Sequence, residues 1–136
     1  MSGLSKQHKL EVYTNQKLPQ DYKKRLEKLS IGKRGIMWYR LQDESKMHVL
    51  VVKKGKGIIA WAMLDKCITD KRRVDFHAFV DKKHRGNGIG SFLRDKMFAL
   101  FGEQFSLFYY FDSKRKDFYR WPQKSEKSSY LIKLEA

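Results

Sequence analysis

One cysteine, two prolines and half as many acids as bases mark what this 136-residue chain lacks. The lone Cys67 excludes an intramolecular disulfide and any cysteine-rich metal site. It follows a strand-like segment and reads as a small packed residue, which suits a reducing cytoplasm. His8, His48, His77 and His84 show no ligand spacing with carboxylates or thiols, so no metal is expected. No apolar run approaches the length of a membrane span. Met1-Ser2-Gly3 leads into polar and basic residues without an apolar signal core, so export is not expected either. With no repeat and no linker, residues 1–136 read as a single domain.

What is present argues for a folded, strongly cationic protein. A hydrophobic content of 41% with 14% aromatics is enough to build a core. The net charge of +15 comes from 30 Lys and Arg against 15 acids. Positives recur as runs at Lys23–Arg25, Lys53–Lys56, Lys71–Arg73, Lys82–Arg85 and Lys114–Lys116. Each run alone is most often a solvated face, but together they create a field that attracts polyanions.

Leu10–Tyr13 can form a short first strand, and Pro19 opens a helix whose stripe is Tyr22, Leu26 and Leu29. Ile36–Leu41 reads as extended. Met47–Val52 and Ile58–Leu64 form a hairpin around the glycines of Lys53–Gly57. Val74–Val80 alternates as a strand, and Ile89, Phe92, Leu93, Met97 and Leu100 recur at helical spacing. Phe105–Phe111 is a further strand. Asp112 or Ser113 can cap a helix running to Trp121, before Pro122, and Tyr130–Leu134 closes the chain as a strand.

The most informative stretch is Arg85-Gly86-Asn87-Gly88-Ile89-Gly90, a basic glycine-rich turn from strand to helix. There the helix's first backbone amides are unpaired and its dipole favours an anion, while Gly86, Gly88 and Gly90 admit close approach of a ligand. The loop lacks the Gly-Lys-Ser/Thr of a nucleotide P-loop and the Gly-x-Gly-x-x-Gly of a dinucleotide fold. Arg85-x-x-Gly88-x-Gly90, separated from Val80 by four residues, resembles the pyrophosphate-binding motif of the GNAT N-acetyltransferases. The order of elements is similar to that family from end to end, most strongly over residues 47–121. The resemblance implies an α/β (α+β) fold: a central mixed, mostly antiparallel sheet flanked by helices, with shortened N- and C-terminal parts.

It also implies acetyl-CoA as acyl donor and an amine as acceptor. Phe79 and Val80 would contribute main-chain groups to the cofactor's arm and thioester. Arg85, Gly86, Asn87, Gly88, Ile89 and Gly90 would hold the pyrophosphate, with Ser91 adding a hydroxyl. Phe118-Tyr119 resembles the family's aromatic–tyrosine pair on its last helix, which makes Tyr119 the candidate acid for the leaving thiolate, with Tyr109 and Tyr110 as rivals. Trp121-Pro122 departs from the usual Gly-Phe after that tyrosine. Asp75 and His77 share the strand face entering the site, and a histidine with a reference pKa near 6.5 suits general base work; many family members use water instead.

Two functions of different class follow. The first is an acetyl-CoA-dependent N-acyltransferase, with an amine carried on a nucleic acid such as tRNA or on a protein among the open acceptors. The second is a non-catalytic basic module on the same fold that holds DNA, RNA or an acidic protein.

Overall fold

The computed structural model describes residues 4–14, 18–29, 47–66, 69–105, 107–112, 117–121 and 132–133, with backbone alone at 47, 111, 112, 117, 118, 132 and 133. The strands are β1 (His8–Tyr13), β2 (Met47–Lys54), β3 (Gly57–Lys66), β4 (Arg73–Val80), β5 (Leu107–Asp112), β6 (Asp117–Arg120) and β7 (Ile132–Lys133). The helices are α1 (Gln20–Leu29) and α2 (Ile89–Phe101). The sheet follows chain order from β1 to β7. Every neighbouring pair is antiparallel except β4 and β5, which α2 joins as a parallel crossover. This is the mixed, mostly antiparallel α/β sheet expected from the sequence.

Alternation along the strands sorts side chains onto two faces. Leu50, Val52, Ala60, Ala62, Leu64, Val74, Phe76 and Phe108 face α2, which inserts Ile89, Leu93, Met97 and Phe101. Val49, Val51, Trp61 and Met63 face the other way, where Tyr22 and Leu26 of α1 cover them. The α2 stripe recurs every four residues, so Phe101 is the buried end of it. Leu100, expected in the stripe, points outward at 41% exposure.

The β2–β3 hairpin turns more tightly than its glycine spacing suggested. β2 runs on to Lys54, β3 begins at Gly57, and Gly55 takes a φ of 62° between them. At the β1 edge, Glu11 accepts hydrogen bonds from the Tyr22 hydroxyl (2.7 Å) and the Tyr13 hydroxyl (2.9 Å). Burial raises the Glu11 carboxyl, but those two bonds and nearby Lys53 outweigh it and hold the group below its ordinary value.

The largest departure lies after β5. Asp117–Arg120 is a strand, not part of a helix, and pairs antiparallel with β5 through Tyr110↔Tyr119 and Tyr109↔Arg120. Cross-strand aromatic contact accounts for it: the Tyr110 and Tyr119 rings stack at 5.3 Å, and Trp121 packs on Phe98 and Phe108 at 5.1 and 4.4 Å. The Trp121 amide donates to the Phe108 carbonyl (2.9 Å), which extends the pairing past the strand. Ile36–Leu41 and Lys114–Lys116 lie outside the described residues.

Candidate active site

β4 and β5 pair only from Arg73↔Leu107 to Phe76↔Tyr110. Beyond Phe76, β4 continues for four residues while the last two residues of β5 pair with β6. The two parallel strands therefore form a fork that opens toward the end of β4.

The phase of the hydrogen bonding fixes what lines it. The Arg72 carbonyl accepts from Leu107 on the β5 side, whereas the Asp81 amide donates to Ile59 on the β3 side (2.7 Å). Backbone groups alternate between the two edges of a strand. Ala78 and Val80 thus direct their N–H and C=O toward the fork, and Phe79 directs its own toward Trp61 of β3. Phe79, expected to present main-chain groups here, instead contributes its ring to the α1 face. Ala78, which no sequence signal singles out, is exposed although Val74 and Phe76 on the same face are buried. A methyl at that position leaves room along the fork wall.

The Val80 carbonyl is already taken. Arg85 folds back so that its Nε donates to that oxygen at 2.8 Å, with the guanidinium 5.3 Å above the Phe79 ring. This latches the loop onto the end of β4 and sets a fixed positive charge beside the start of α2. A short 3-10 turn, Lys82–His84, carries the chain between them.

Two glycines shape the entry to α2. Gly86 and Gly88 have φ of 85° and 78°, a region other L-residues adopt at a cost of about 1–2 kcal/mol. Gly88 is the N-cap and supplies no side chain to the helix. The first helical bond is Phe92 N–H to the Gly88 carbonyl at 2.9 Å, which leaves the Ile89, Gly90 and Ser91 amides outside the helical ladder. Gly90 is different: its φ is not positive, and an added Cβ would meet only the Val80 Cγ2 at an ordinary 3.9 Å. The fold itself therefore does not demand glycine at position 90.

The titratable candidates divide between the faces. Asp75 and His77 lie on the α1 face, in line with Asp65 and Met63 of β3. Asp75 is committed to an ion pair, with Arg73 Nε at 2.9 Å and Nη2 at 3.4 Å. Tyr110 stands on the α2 face as the last β5 residue of the ladder, and its hydroxyl meets Arg94 Nη1 at 3.4 Å. Tyr119 sits one strand further from β4, stacked behind Tyr110. Tyr109 is on the opposite face, 4.4 Å beneath the Arg73 guanidinium. Arg94 carries no motif, and only the docking of α2 brings it to the site. Among the described residues no group of His, Cys, Asp or Glu is placed to hold a metal, and no helix is long and apolar enough to cross a membrane.

No protein-family model and no curated protein matches the sequence. Solved structures do match in shape. An acetyltransferase of the GNAT family from Staphylococcus aureus Mu50 superposes with a TM-score of 0.60 at 16% identity, over 93% of this chain and 100% of the other. The yncA protein of Salmonella typhimurium, solved with its cofactor acetyl-CoA, gives 0.54 at 12% identity over 76% and 69%. An aminoglycoside acetyltransferase from an uncultured soil metagenomic sample gives 0.55 at 15% identity over 80% of each chain. The fold is that of the GNAT acetyltransferases.

Proposed function

We propose that residues 1–136 act as one domain and form an acetyl-CoA-dependent N-acyltransferase. One observation carries the reading: a fork between parallel strands whose open end leads directly to the unpaired amides of α2. An elongated ligand with an anionic head and a narrow arm fits that shape. Its phosphates would lie on the Gly86–Ser91 amides, where the helix dipole and Arg85 favour negative charge. Its arm would run beside Ala78, and a ligand pressed between the α2 start and Val80 gives Gly90 the reason the free protein lacks.

Acetyl-CoA, when bound, supplies the activated acyl group. The Ala78 and Val80 amides then face the position where a carbonyl oxygen gains negative charge as the amine adds. His77, whose ordinary pKa near 6.5 suits proton abstraction near neutrality, takes the proton from the attacking amine. Tyr110 returns a proton to the departing sulfur, with Arg94 beside the phenolate that remains. Tyr119 supports Tyr110 through stacking. The balance is one amide formed, one thioester broken and one free thiol released. The acceptor is an amine, free or carried on a macromolecule.

Isothermal titration with acetyl-CoA tests this on Gly88→Asn and Gly88→Asp. Both side chains tolerate the left-handed conformation and have nearly the same shape, so they differ by one negative charge. Each added side chain should weaken binding, and Gly88→Asp should bind about tenfold or more weakly than Gly88→Asn. Equal affinity in the two variants would remove the phosphate site from the loop.

A further inference from the structure

The fold sorts the basic runs in a way their order along the chain does not reveal. β1 begins where β2 ends (His8↔Lys54), and Asp81 bonds back to Ile59, so three elements meet at one end of the sheet. These are the start of β1, the β2–β3 turn and the loop after β4. Lys9, Lys54, Lys56, Lys82 and Lys83 are all exposed there. Lys53 and Arg25 at the same end already have acids, Glu11 at 3.9 Å and Asp21 at 3.6 Å. Among the described residues Lys54, Lys56, Lys82 and Lys83 have none.

The opposite end, at the β3–β4 connection, is also rich in base, but both of its arginines are neutralised locally. Arg72 holds Asp70 through Nε and Nη2, both at 3.1 Å, and Arg73 holds Asp75. Those bonds push the Asp70 carboxyl below its ordinary value and the Arg72 guanidinium above its own. Among the described residues the hairpin end thus gathers four exposed lysines without an acid, whereas at the opposite end exposed Lys71 stands beside two arginines that are already paired.

We propose that this lysine surface docks the phosphate backbone of a nucleic acid, independently of acetyl transfer. The pyrophosphate of one cofactor needs the loop amides and a few cations, and Lys54 and Lys56 sit across the hairpin from that loop. A protein partner would call for apolar or aromatic anchors. The exposed large hydrophobics among the described residues are Val12 and Leu100, one in β1 near its far end and one near the end of α2 away from the loop. A surface of exposed lysines without apolar anchors matches a backbone read by charge rather than by shape or sequence.

Fluorescence anisotropy with a short RNA duplex and the DNA duplex of the same sequence, over a range of salt, tests the proposal. Binding should weaken linearly in log–log form. Lys54→Glu/Lys56→Glu should flatten the slope by about 0.9 for each phosphate no longer neutralised, while Lys71→Glu/Arg72→Glu, with the same change in net charge, should leave it near wild type. Equal weakening in both double variants would reduce the effect to overall charge and overturn a defined surface, as would absence of binding at low salt. Preference for one duplex would identify the nucleic acid. Acetyl-CoA titration of the same proteins keeps the two readings apart, because nucleic-acid binding without acetyl-CoA binding would sink the enzyme and leave this surface standing.

Discussion

The two arms of the fork are built by different physics. The β4 arm is local: an alternating strand, a turn that needs left-handed glycines, and a helix with apolar residues every fourth position, all within residues 73–101. The β5–β6 arm is held by contacts distant in sequence, in which Trp121 packs on Phe98 of α2 and on Phe108 and Tyr110 of β5, and Tyr110 stacks on Tyr119. A site whose anion grip depends on local backbone and whose proton donor depends on long-range packing should lose those two capacities separately.

The largest expected effect tests that separation. Trp121→Ala empties a buried site between three rings and should cost about 3–5 kcal/mol in a denaturant titration. At low temperature, where the variant remains folded, acetyl-CoA affinity should change little. A matching collapse of affinity would mean that the arms are one cooperative unit.

Next in size is the acid. Tyr110→Phe removes only a hydroxyl and should lower kcat by a factor on the order of 10², with folding intact. Tyr119→Phe should lower it far less. The reverse order would return the acid role to Tyr119 and shift the thioester one strand outward.

These two residues also show what the sequence can and cannot convey. Val74–Val80, the glycine loop and α2 are legible because each is signalled by its own residues. The stretch from Asp112 to Trp121 reads as helical because Asp112 or Ser113 can cap a helix and Pro122 can end it. Tyr119 and Trp121 in fact pair with partners nine or more positions away, contacts that no local period records. The phase of the β3–β4 ladder is equally invisible, so the family resemblance points to Phe79 beside Val80, and not to Ala78, as presenting backbone to the fork. Charge is legible as a sum, but the pairing of Arg72 with Asp70 and of Arg73 with Asp75 emerges only in three dimensions.

A smaller effect is expected where the arms touch. A Cβ at Gly102 would lie 2.6 Å from Cδ1 and 3.1 Å from Cγ of Phe98, whose ring stacks on Trp121. Gly102→Ala should therefore cost about 1–3 kcal/mol by overpacking. Phe98→Leu in the same background should recover part of it; no recovery would locate the strain elsewhere.

The smallest effect is one of pH. His48 is buried against Phe101, with ring centroids at 4.0 Å and neither nitrogen hydrogen-bonded among the described residues. Burial, then the nearby Lys66 charge, lower its pKa, against a weaker opposing influence from Gln104. The unfolded chain therefore takes up a proton that the folded one refuses. His48's contribution is intact above the ordinary value of 6.5 and is lost as pH falls from there through the lowered folded value. In thermal melts the wild type should lose Tm relative to His48→Phe as pH falls below that point, because only the wild type loses stability through this site. Parallel curves would show that the ring is not the titrating group.

The central claim is that the open fork and the start of α2 together hold acetyl-CoA, and backbone amide NMR on the isotope-labelled protein tests it most directly. On titration with acetyl-CoA, the amides of residues 86–91 and those of Ala78 and Val80 should move together and saturate at one stoichiometry, while those of α1 stay in place. Shifts confined to other surfaces, or movement of the loop amides without those of Ala78 and Val80, would contradict the account.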